Sequence, residues 1–395
     1  MTGARSAEID ESQQQWRTIR GALKQHRHEL SVAAGELYPD VARVDGTGLL
    51  CRETWLPDAP IELDELRLGW VDDPLPPPVT ASSTESLPVR TLDDAGEPFD
   101  TYADAIGALD RPALFENRPA YRPLKADLSY PGGRLDLTVG RYFDAISVGE
   151  ALAHEFAAAT QEHGRVTDMR HLPLRSAIGD PCDLWRRPAS VAITTLTVRL
   201  TRAGDATFLL HWRDPAKVTH AAGMYQVMPV GIFQPADDNS VSVQHDLNLW
   251  HSMVREFSEE LLGGTEDYAR FGSPLEYEQW DFYRRLTEAR QAGSLQVSIL
   301  GLGVDPLTLV TDILTVAMLD ADLFDDAFGE LVAVNSEGQV VNDGGTSGFA
   351  LTEESVDNFT GGRQPMQAAG AAALRLTWKH RRSLSLSRDG NGAAR

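Results

Sequence analysis

From Asp246 to Gly264 the chain reads DLNLWHSMVREFSEELLGG. Leu249, Trp250, Met253, Val254, Phe257 and Leu261 recur at three- and four-residue steps, which predicts a helix from about Asp246 to Leu262 with one apolar face. Ser252, Arg255, Glu256, Glu259 and Glu260 fall on the other face. Glu256 stands three and four residues before Glu259 and Glu260, spacings at which helical side chains meet, so the carboxylates repel one another. Locally only Arg255, four residues before Glu259, compensates them. Clustered hard oxygen ligands suit Mg2+ or Mn2+, which in turn neutralise substrate phosphates. The plainer alternative is an exposed acidic helix on an acidic protein.

The residues before this helix give it context. Val191, Ile193, Leu196, Val198 and Leu200 predict a strand, Arg202-Ala203-Gly204-Asp205 a turn, and Thr207 to Trp212 a returning strand. A strand and loop follow at Met224-Tyr225-Gln226-Val227-Met228-Pro229-Val230-Gly231-Ile232-Phe233-Gln234-Pro235. This order of hairpin, Gly/Pro loop and Arg255-Glu256-Phe257-Ser258-Glu259-Glu260 ahead of Gly263 resembles the Nudix hydrolases and the REuxEExGu half of their box, where u is bulky and apolar. The resemblance spans roughly Ala189 to His380. It implies an α/β/α sandwich around a mixed sheet and cleavage of a phosphoanhydride in a nucleoside diphosphate derivative or similar small molecule. It further implies Mg2+ or Mn2+ on Glu256, Glu259 and Glu260, with Glu259 or Glu260 assisting the attacking water and Arg255 holding the glutamates in register. Arg213, Gly231 and Gln234 become substrate-binding candidates.

The loop half of the box is altered. Val230-Gly231 replaces a Gly-Gly pair, Gln234 stands where the loop glutamate falls, and the remaining box acid is Asp237 or, across a longer spacing, Asp246. One extra residue also precedes Gly263. These departures leave a second function open, a non-hydrolytic Nudix-like module that binds a ligand or regulates a partner.

The other segments are less specific. Trp16, Ile19, Leu23, His26, Leu30 and Ala33 form one face of a helix between Gln13 and Leu37, suited to docking or to pairing with a second copy. A DNA-reading helix using Arg17, Arg20, Lys24, Arg27 and His28 is the alternative, against which 36 basic and 58 acidic residues give a net charge of -22. His154-Glu155 starts like a zinc HExxH motif, but residue 158 is Ala, so a buried or capping role is expected. Pro74, Pro76, Pro77 and Pro78 mark an extended linker. The expected organisation is an N-terminal helical region (1–71), the linker (72–86), a small mixed α/β region (87–188), the Nudix-like domain (189–382) and a disordered tail (383–395), an α+β chain overall. Without an apolar leader or a run near the roughly 18 residues a membrane span needs, and with two widely spaced cysteines, the sequence points to the cytoplasm.

Overall fold

The computed structural model describes residues 2–112, 115–213, 223–264, 275–329, 338–341 and 348–386. Helices α1 (Thr2–Gln25) and α2 (Arg27–Gly35) lead to the short strands β1 (Ile61–Glu62) and β2 (Arg67–Trp70). Next come α3 (Tyr102–Leu109), β3 (Pro119–Asp127), β4 (Arg134–Arg141), α4 (Tyr142–His163) and α5 (Pro173–Ile178). Strands β5 (Val191–Leu200), β6 (Ala206–Phe208), β7 (Leu210–Arg213), β8 (Tyr225–Val227) and β9 (Val230–Ile232) precede α6 (Ser240–His245) and α7 (Leu249–Glu256). The chain continues through α8 (Asp281–Ala292), β10 (Leu295–Val304), β11 (Thr311–Asp320), α9 (Ala321–Phe328), β12 (Gly338–Val341), β13 (Phe349–Ala350), α10 (Glu353–Thr360) and α11 (Ala368–Lys379). The protein is of the α+β class, with a mixed sheet as expected.

That sheet runs β1-β10-β11-β5-β6-β13, with β9 also paired to β5. β5 and β11 are parallel at its centre, and their β-branched and aliphatic residues are almost all buried, which is why both read as apolar runs rather than alternating patterns. The expected hairpin forms, but its return strand divides: β6 stays on β5, while β7 joins β12 and β8 in a separate sheet. Helix α11 lies across β5, β10 and β11. Of the hairpin that the sequence suggests from Gly329 to Val334 with Val340-Val341, residues 330–334 lie outside the described residues, while Val340 and Val341 belong to β12.

The N-terminal segments are built into this body. β1 extends the main sheet by pairing with β10, and Leu50 and Val304 exchange backbone hydrogen bonds of 3.0 and 2.8 Å. From Thr47 to Leu56, where the sequence predicts a strand, the chain forms this bridge, a second one between Leu50 and Arg43, and a 3-10 turn at Glu53–Trp55. The buried Arg175 guanidinium donates to Pro306 O at 2.8 Å and Leu307 O at 2.6 Å, tying α5 to the β10–β11 turn. The apolar face of α1 is docked within the chain: Trp16, Ile19 and Leu23 are buried, and α1 packs on α4. The basic residues here are engaged as well, Arg20 of α1 with Glu150 at 2.5 Å, Lys24 of α1 with Asp110 at 2.6 Å, and Arg27 of α2 with Glu150, an arrangement that leaves no DNA-reading face from these three.

The proline segment is laid over the body. Val79, Ala81 and Ser86 are buried, Val79 N–H donates to Arg186 O at 3.0 Å, and the turn at Thr84–Val89 packs on α4 and α5. His154 is buried and bonded to the Tyr102 hydroxyl at 2.8 Å, and Glu155 accepts the Leu174 and Arg175 N–H groups that open α5. Of the expected tail, residues 383–386 are described, and Leu384 and Leu386 are buried; 387–395 lie outside the described residues. Among the described residues no helix is long and apolar enough to cross a membrane.

Asp312, on the buried strand β11, supplies a pH test of this core. Burial lifts its carboxyl from 3.8 to about 7, with the Thr194 hydroxyl bond pulling down and Asp305 pushing up. The folded chain therefore holds a proton that the unfolded chain releases across this interval, so the contribution is full below pH 3.8 and lost as pH rises through about 7. Asp312→Asn keeps the acceptor for Thr194 and cannot ionise. Urea unfolding at pH 8 should find the variant more stable than the wild type by a few kcal/mol, and at pH 4 nearly equal to it; equal stability at pH 8 would contradict a buried ionising group.

Candidate functional site

Two short elements place the glutamate helix. β9 pairs with β5 through Ala192↔Ile232, Ile193↔Gly231 and Thr194↔Val230, and beyond it Phe233 N–H donates to Val191 O at 2.8 Å while Phe233 O accepts from Tyr121 N at 3.0 Å. The segment thus bridges the main sheet and β3 before the chain leaves as a loop at Gln234. The helix predicted from Asp246 starts at Leu249, and a separate short helix, α6, precedes it. Asn239 caps α6, Asn248 caps α7 through the Trp250 N–H at 2.9 Å, and Asp246 sits buried in the link between them.

Helix α7 then changes winding. Phe257–Leu261 is a π-helical turn, which absorbs one additional residue by bonding i to i+5 and answers for the extra position before Gly263. The turn closes with Gly263 N–H on Glu259 O at 3.2 Å and Gly264 N–H on Ser258 O at 2.9 Å. Gly263 has φ +69°, the left-handed conformation this closure requires.

Carboxylates from the helix meet the β9 backbone. Glu256 lies against Gly231 so closely that a Cβ there would fall 1.9 Å from the Glu256 carboxyl carbon, so any larger residue would displace that carboxylate from its seat. Glu260 Oε1 accepts the Val230 N–H at 3.0 Å. All three glutamates are half-buried.

Arg255 has partners beyond the glutamates it is expected to hold in register. It is buried, and its guanidinium bonds Asp246 Oδ2 at 3.2 Å, the Tyr277 hydroxyl at 2.9 Å and the Gln234 carbonyl. Burial works against its charge, but Tyr277, Asp246, Glu256 and Glu259 outweigh this and hold it protonated more firmly than usual. Asp246 is completed by the Tyr277 hydroxyl on Oδ1 at 2.8 Å and the Ala236 N–H on Oδ2 at 2.7 Å. Burial pushes its carboxyl up, but His251, Arg255, Ala236 and Tyr277 together bring it below the ordinary range.

The structure therefore brings together Gly231, Gln234, Asp246, Arg255, Glu256 and Glu260, with Gln234 contributing its carbonyl. Arg213 stands on β7 in the other sheet, its backbone bonded to Met224 and Gly223. Asp237 accepts the Asn239 N–H at 2.7 Å in the turn before α6. Tyr277, in the turn before α8, and Tyr283, on α8, are both buried. Among the described residues, the group whose ligand atoms gather within 4.8 Å of one another is His245, Asp246 and His251, rather than the glutamates. The two histidines were missed in the sequence. Their positions on either side of Asp246 were the available signal. No protein-family model matches the chain, and no curated protein matches it.

If Arg255 and Asp246 act as one unit, their removal must be non-additive. Arg255→Met leaves a buried carboxylate without its partner and should cost about 3–5 kcal/mol, whereas Arg255→Met with Asp246→Leu should recover much of it. A urea-unfolding double-mutant cycle reads this directly, and additive losses would mean the pair is not coupled.

Proposed function

We propose that the chain is a Nudix-like hydrolase that uses Mg2+ or Mn2+ to cleave a phosphoanhydride in a nucleoside diphosphate derivative or a similar small molecule. The observation that carries the reading is the seating of Glu256 on Gly231 together with the Glu260 bond to Val230 N–H, which sets the glutamate helix against the glycine loop. The donor set fits such an ion, since Glu256, Glu259 and Glu260 offer hard oxygens that are only half-buried. When bound, the ion would neutralise phosphate charge and make water a better nucleophile.

The chain's own residues do the rest. Glu259 or Glu260 accepts a proton as a water oxygen bonds to phosphorus, and the bond from that phosphorus to the bridging oxygen breaks, leaving two phosphate-bearing products. Arg255 acts as a positioning residue, since its hydrogen bonds run to the loop and to Asp246. Gly231, Gln234 and Arg213 are the candidates for holding substrate. The chain works in the cytoplasm on this reading, in keeping with two buried free cysteines. A non-hydrolytic ligand-binding role is the second reading, favoured by Glu260 being bonded to the loop and Asp246 to Arg255.

A screen of nucleoside diphosphate derivatives with Mg2+ or Mn2+, scored for released phosphate or monophosphate, separates the two. Hydrolysis in the wild type, its loss in Glu259→Gln/Glu260→Gln, and at least a tenfold fall in Gly231→Ala with an unchanged melting temperature are expected on the enzyme reading, about 1.4 kcal/mol of barrier or more. Stabilisation by the ion with no turnover supports the binding role. A double Gln variant as fast as the wild type rejects the glutamate mechanism.

A further inference from the structure

We propose that His245, Asp246 and His251 form a second cation site, selective for a zinc-class transition ion and separate from the glutamates. The three ligand atoms lie within 4.8 Å of one another, and His251 Nδ1 stands 3.7 Å from Asp246 Oδ1. That is beyond hydrogen-bond reach, yet close to the roughly 3.3 Å that separates two ligands sharing one tetrahedral zinc ion. His251 Nδ1 is buried and lacks a well-formed hydrogen bond among the described residues, Asp246 Oδ1 at 3.7 Å being its electrostatic neighbour. A bond to an ion would satisfy that nitrogen.

The surroundings hold these ligands in place. Ala236 N–H and Arg255 engage Asp246 Oδ2, and the Tyr277 hydroxyl engages Oδ1, leaving the latter a lone pair for an ion. Such outer hydrogen bonds orient a ligand carboxylate. The His251 ring lies flat on Tyr277, with centroids 3.7 Å apart and planes 20° apart. His245 is exposed at the end of α6, which gives the ion an entry and leaves room for water as a further ligand. Arg255 is the unfavourable neighbour, but Glu256 and Glu259 also act on its charge. Two imidazoles and one carboxylate favour zinc, cobalt or nickel over magnesium, so the two sites sort ions by chemistry. An ion here would clamp the α6–α7 link and, through Ala236 and Arg255, the loop beyond β9.

The test uses the full chain, stripped with a chelator and titrated with Zn2+ by equilibrium dialysis and with Co2+ by visible absorption. One Zn2+ per chain is expected, with Kd below about 100 μM and retained in excess Mg2+. His251→Ala and His245→Ala should each weaken it at least about tenfold. His245 is exposed, so its variant decides the matter if His251→Ala does not fold. Glu259→Gln/Glu260→Gln should leave Zn2+ binding unchanged, which separates this site from the proposed hydrolytic one. The rings of His163 and His171 are 4.0 Å apart on the surface and offer a rival site. Loss of binding in His163→Ala, insensitivity to His245→Ala, or no binding below about 100 μM would each overturn the proposal.

Discussion

A guanidinium removed from water costs several kcal/mol unless its donors are answered, and Arg255 is answered from three separate pieces of chain. Asp246 comes from the link between α6 and α7, Gln234 O from the loop after β9, and Tyr277 from the turn before α8. Moving any one of them leaves a buried donor or acceptor without a partner. The helix that carries the glutamates is thereby locked in rotation and height against β9. Hydrophobic residues of like volume could stabilise such a junction as well, so the polar node is better understood as specifying one arrangement, in which Glu256 comes to rest on Gly231.

The π-helical turn belongs to the same constraint. With α-helical winding throughout, the extra residue before Gly263 would rotate the end of the helix relative to its start. Widening the turn at Phe257–Leu261 lets Phe257 and Leu261 both stay buried while Glu260 still reaches the Val230 N–H. The insertion is absorbed within the backbone of the site, and the closing Gly263 is the residue whose conformation permits it.

What could be read in advance divides along the range of the interactions. The sequence pattern found β5 closely because its signal is local, a run rich in β-branched and aliphatic residues. The basic face of α1 looked solvated because its partner Glu150 lies 130 residues further on, a distance at which spacing carries no information. Composition identified the proline segment as extended chain but could not say that Val79 and Ala81 have apolar surface waiting for them. In the site, the acidic pattern and Arg255 were legible, whereas the short helix α6, which ends at His245 just before the predicted start, was not. With it went the turn that brings His245 and His251 to the same carboxylate.

Charge then limits what such a site can do. The chain has 36 basic residues against 58 acidic ones, and Arg20, Arg27, Arg122, Arg175, Arg187 and Arg255 are buried. Glu150, Glu155, Asp246 and Asp312 are buried among the described residues as well, so the accessible surface stays about as acidic as the net charge of -22. An anionic substrate approaching it meets a repulsive field, which weakens binding and slows encounter. A divalent cation changes the sign of that problem, because it can arrive with the phosphates and be received by carboxylates that would otherwise repel them. Half-buried glutamates opposite a backbone loop, on a strongly acidic chain, make physical sense for phosphate chemistry when an ion mediates. They make little sense for direct phosphate recognition.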